Sequence, residues 1–76
     1  MGNYYQQLNC YFKIGTAYTK LNRNERAVYP LSRCCEMMPK NERYLLERGK
    51  VYQSLQMFEE AAKDYTEVIK VNSNNS

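Results

Sequence analysis

With 76 residues the chain holds one domain with a thin core, since a chain this small buries only about 60% of the surface its unfolded form exposes. A net charge of +3 is far from the dense Lys/Arg stripes of nucleic-acid binders, and no stretch reaches the length of a membrane span, so neither nucleic acid nor membrane is an expected partner. Three cysteines, with an opening MGNYYQQ that lacks the basic and apolar regions of a secretory leader, point to a reducing compartment, and the cytosol is expected.

Asn3, with Gln6 three residues on, makes a capping-box pattern and predicts a first helix from Tyr4 to Leu21. Leu8, Tyr11, Ile14, Tyr18 and Leu21 recur at helical steps, which predicts one buried stripe. Asn22-Arg23-Asn24 reads as the turn, and a second helix is expected from Glu25 to Met38. Pro30 lies past its first turn, where proline removes a backbone hydrogen bond and clashes with the preceding turn at about 3 kcal/mol; a kink or a late start is expected. Pro39-Lys40-Asn41 breaks the chain. Asn41 is placed to cap a third helix from Glu42 to Leu55, with Glu42 where the helix dipole favours a carboxylate. After a turn at Gln56-Met57, a fourth helix is expected from Phe58 to Val71, burying Phe58, Ala61, Ala62, Tyr65, Val68 and Ile69. Asn24 stands where the later turn has Phe58, so the earlier turn is expected to be the less well filled. The polar tail 72–76 is expected to fray.

Two of these helix pairs are copies of one unit. Gly15, Tyr18, Leu21, Ala27 and Leu31 return 34 residues later as Gly49, Tyr52, Leu55, Ala61 and Tyr65. A fixed period of this size marks a repeat architecture. Its physical sense is close packing: small residues stand where two helices meet, and glycine, about 1 kcal/mol unfavourable inside a helix, needs a packing reason to be there. In this spacing the chain resembles the tetratricopeptide repeat, with one copy over residues 8–41 and a second over 42–75. The resemblance implies an all-α fold of two stacked helix–turn–helix units, a fragment of a right-handed α-solenoid, forming a single domain over residues 1–75. Because such units bury their faces against neighbours and about three are usually needed, the chain is expected to be an excerpt of a longer array or to complete itself against a partner.

No catalytic constellation is present. Histidine, the commonest acid–base residue and metal ligand, is absent. Cys34 and Cys35 stand where the fourth helix has Val68 and Ile69, and as a metal site they would have only Cys10 to add; they read as small buried hydrophobes. Neither a metal, a cofactor nor an enzymatic activity is expected. The eight tyrosines read as core or half-buried packing rather than a base-stacking surface.

The resemblance implies that the first helix of each unit lines a concave groove that holds a segment of another protein. On this chain that face comprises Asn9, Phe12, Lys13, Thr16, Thr19 and Lys20, then Arg43, Leu46, Glu47, Lys50, Gln53 and Ser54. Phe12 and Leu46 are equivalent apolar positions off the expected core stripes, within a rim of four cations and Glu47. Such a face suits an acidic segment carrying one or two apolar anchors. Some relatives clamp the acidic carboxyl terminus of chaperones with Lys and Asn; Phe12, Thr16 and Glu47 occupy those places here, against that particular use. The expected function is protein–protein recognition by a scaffold, adaptor or co-chaperone-like module. The alternative is an oligomerisation or assembly segment whose open helix faces pair with another copy.

Overall fold

The computed structural model describes residues 2–73. Four helices follow in order: α1 (Gly2–Lys20), α2 (Asn24–Met37), α3 (Glu42–Ser54) and α4 (Phe58–Ser73). α1 packs on α2, α2 on α3 and α3 on α4, so two helix–turn–helix units stack through the α2–α3 junction. The first pair is antiparallel: the Tyr4 hydroxyl donates to the Met37 carbonyl, the Cys34 thiol to the Leu8 carbonyl, and Gly15 faces Leu31.

The two turns are built alike. Asn22 and Gln56, 34 residues apart, take left-handed backbone with φ 61° and 63°. After them the Arg23 and Met57 amides donate back to the Tyr18 and Tyr52 carbonyls, both at 2.8 Å, and the Asn22 and Gln56 amides to Thr19 and Gln53, both at 3.0 Å. These are Schellman ends, which satisfy carbonyls a helix terminus would otherwise leave bare. Asn41 caps α3 as its position predicts, its side chain accepting from the Tyr44 amide at 3.2 Å. Asn3, by contrast, lies within α1 and does not cap it, and Asn72 and Ser73 extend α4 beyond its expected end. Residues 74–76 of the expected tail lie outside the described residues.

The core is centred on Ala27, Leu31 and Val51, with Phe12, Tyr18, Val28 and Leu55 packed around it. It therefore sits between α2 and α3, the two inner helices, each covered on both sides. The expected stripe on α1 is partly wrong: Leu8 is buried and Tyr18 half-buried, but Ile14 is 46% and Leu21 65% exposed. Gly15 is the residue that meets Leu31, which turns Ile14 toward the outer flank. On α4, Ala61 is buried and Tyr65 and Val68 half-buried, whereas Phe58, Ala62 and Ile69 are exposed. Among the described residues α4 has one neighbour, α3, and one neighbour covers only one side of a helix. The turns also correct the expectation: Phe58 is exposed while Asn24 is half-buried, so the later turn is not the better filled.

Pro30 does not delay α2, which starts at Asn24 and continues through it with the ring buried. The proline leaves the Arg26 carbonyl without its usual i+4 donor. Restoring that bond and relieving the ring clash is worth about 3 kcal/mol, and alanine gives back about 1.6 kcal/mol by removing two buried methylenes. Pro30→Ala should therefore stabilise the chain by about 1 kcal/mol, read as a higher urea midpoint; a lower midpoint would show that the buried ring outweighs the missing bond.

Candidate functional site

The α1–α3 face is held together at two places. Toward the N-terminal end of α3, the Phe12 and Tyr44 rings lie 5.2 Å apart and tilted, and the Arg43 guanidinium sits 4.9 Å over the Phe12 ring. Arg43 thus gains a cation–π contact while remaining exposed. Toward the other end, Thr19 comes together with Glu47, Lys50 and Ser54 around a shallow concavity that Asn22, Asn24 and Val51 complete. Lys50 Nζ lies 3.9 Å from Glu47 Oε2, one turn along an exposed helix face, so this pair contributes little to stability.

The remaining positions divide by what they touch. Asn9, Lys13, Lys20 and Leu46 are exposed. Thr16 and Thr19 turn their hydroxyls inward along α1, donating to the Lys13 and Thr16 carbonyls at 3.1 and 2.7 Å. Gln53 is exposed, but its side-chain oxygen accepts from the Tyr65 hydroxyl at 3.0 Å, which ties it to α4. Phe12 requires a correction. It is half-buried and packs against the core, so it is not free of the fold as its spacing predicted. The cause is α3, whose first turn leans Tyr44 and Arg43 onto the ring.

Behind this face lies a side-chain clamp that the sequence reading missed. Arg48 Nε and Nη2 donate to Asp64 Oδ2 and Oδ1, each at 2.8 Å, a two-pronged pair between α3 and α4. Asp64 is 4% exposed. The same guanidinium reaches the Ser32 hydroxyl of α2 at 3.5 Å and lies 5.5 Å over the Tyr52 ring. One side chain therefore touches three helices. Its bonds to Asp64 raise the Arg48 pKa further above an already high value. A sequence signal existed: Arg48 precedes Gly49, Asp64 precedes Tyr65, and Gly49 and Tyr65 are in contact.

Cys34 and Cys35 are buried and free, as the reading from the sequence expected, and Cys10 is free and exposed. Burial pushes the Cys35 thiol up to about 11, with Arg48 drawing it partly back, and raises Cys34 as well. Protonated, buried thiols are poor nucleophiles and poor metal ligands. Among the described residues no group of three or more His, Cys, Asp or Glu is arranged to hold a metal, and no helix is long and apolar enough to cross a membrane.

Compared with known protein families, residues 8–41 and 42–75 each match the tetratricopeptide repeat. No curated protein and no solved structure matches the chain.

Proposed function

The chain belongs to the tetratricopeptide repeat family, whose repeats generally mediate protein–protein interaction, and from that premise we propose that its two repeats form a single binding domain whose α1–α3 face takes an acidic segment of a partner protein. What carries this reading is the charge of that face: Lys13, Lys20, Arg43 and Lys50 are exposed there, with Glu47 as the acid among the face residues. Leu46, 38% exposed, supplies an apolar contact beside them. Phe12 acts chiefly by holding Arg43 in place. The module works as a scaffold or adaptor in the cytosol, by binding and not by catalysis.

The reading predicts that peptides of about a dozen residues, acidic with one Leu or Phe anchor, bind with affinity that falls as salt rises, because exposed charges act through screened fields. Lys13→Glu with Lys20→Glu should weaken the best such peptide at least about tenfold, or about 1.4 kcal/mol, without changing helicity. Fluorescence anisotropy measures it. Binding that survives the double charge reversal, or a peptide panel with no binder, would remove this face from consideration.

A further inference from the structure

The exposed charge of the first unit does not stop at the edge of the α1–α3 face. Lys13, Lys20, Arg23 and Arg26 are all exposed, and among the described residues none of them forms an ion pair. In chain order they run along α1, across the α1–α2 turn and into the first turn of α2. Leu21, 65% exposed, stands among them, and Glu25 is the acid beside them. Arg33 does not belong to this stripe, because Glu36 neutralises it at 2.9 Å. The turn is continuous with the face: Asn22 and Asn24 line the same concavity as Thr19, Lys50 and Ser54.

The second unit has the same turn without this charge. One repeat on, the four positions are Glu47, Ser54, Met57 and Glu60, although the turns at Asn22 and Gln56 match in φ and in hydrogen bonding. A turn of this geometry therefore has no need of cations. Arg23 makes no side-chain cap bond, and cations at the start of a helix face the positive end of its dipole. The fold draws no support from Arg23 and Arg26.

We propose that the acidic partner segment bound on the α1–α3 face continues off it over the α1–α2 turn, where Arg23 and Arg26 take further carboxylates and Leu21 a further apolar side chain. The inference rests on the acidic-segment reading of that face and adds a direction to it. The segment leaves by the first unit's turn and not by the second's, where Met57, Phe58 and Glu59 are exposed. A protein segment is favoured over nucleic acid because four cations beside Glu25 and Glu47 are few for a phosphate track.

The test lengthens the acidic peptide that binds the face best. About six residues are added at either end, about 20 Å when extended, rich in Asp and Glu or, as a control, in Gly and Ser. At one end the acidic extension should tighten binding at least about tenfold in fluorescence anisotropy, and the neutral one should not. Arg23→Gln combined with Arg26→Gln should remove that gain. The unextended peptide should change by no more than about twofold, since a Debye length of about 8 Å screens charges off its path. Both arginines are exposed, so the variant should keep the parent's helicity. Lys63→Gln combined with Lys70→Gln takes the same charge from α4 and should leave the gain intact. An unextended peptide that binds, with no gain from either acidic extension, overturns this inference and leaves the reading of the face standing. So does a gain that survives the loss of both arginines. A panel with no binder overturns both. An oligothymidylate of about a dozen nucleotides that binds the parent more tightly than the extended peptide, and is lost with the two arginines, assigns the stripe to nucleic acid and overturns the proposal.

Discussion

Arg48→Ala should cost about 3–5 kcal/mol, because it leaves the Asp64 carboxylate buried without its partner. A domain of 76 residues has about 4–11 kcal/mol of stability in total, so the variant should lose a large share of it and unfold at a much lower urea midpoint. The effect singles out this pair. Arg33–Glu36, Lys63–Glu60 and Lys70–Glu67 are i,i+3 pairs at the surface, and breaking any of them should cost at most about 1 kcal/mol. Burial makes the difference: Asp64 is 4% exposed, and both its oxygens accept from the guanidinium at 2.8 Å. The loss should not be additive. Arg48→Met combined with Asp64→Leu removes both charges and fills the space, and should return to within about 1–2 kcal/mol of the parent or exceed it. The first unit has no charge at either equivalent position, where Ile14 and Pro30 stand. Urea unfolding followed by circular dichroism reads both variants. If the double variant is as unstable as Arg48→Ala, the clamp acts through the shape of Arg48 rather than its charge.

The helices and their pairing were legible because they rest on signals local to the chain. The glycine–tyrosine and alanine spacings set the repeat, Asn41 the cap, and Pro39 the break between units. Which face of each helix is covered was harder to read, because it depends on how many neighbours a helix has. Leu31 is enclosed by α1 and α3, so its whole circumference counts as core. Its counterpart Tyr65 lies on a helix with one neighbour and stays half-exposed. The same asymmetry left Ile69 outside and buried Cys35, although one pattern describes both. Phe12 was misassigned for a related reason: its burial comes from Tyr44 and Arg43, across the stack and outside its own helix period. The Arg48–Asp64 clamp escaped because a carboxylate on an amphipathic helix is usually solvated, and only the contact of Gly49 with Tyr65 places its neighbours together.

Gly15→Leu should be the most damaging change on α1, at about 3 kcal/mol or more, and the alanine variants should show why. A Cβ at Gly15 would lie 2.7 Å from Leu31 Cγ and 2.8 Å from its Cδ2, and Leu31 is fully buried, with nowhere to move. At Gly49 the same atom would lie 2.7 Å from Tyr65 Cε1 and 3.1 Å from Cδ1 and Cζ, but that ring is half-exposed. Tyr65 can swing outward at the cost of its hydrogen bond to Gln53, about 0.5–1.5 kcal/mol. Alanine also gains about 1 kcal/mol over glycine inside a helix. At Gly49 these terms nearly cancel. At Gly15 an overpacking cost of about 1–3 kcal/mol should exceed the gain. Gly15→Ala should therefore have a lower urea midpoint than Gly49→Ala, by about 1–2 kcal/mol in stability. Trimming Leu31 to Val should rescue Gly15→Ala in part and leave Gly49→Ala unaffected, since coupling needs a shared contact. Equal effects at the two glycines, with no rescue, would mean that close approach at Gly15 does not hold the first pair together.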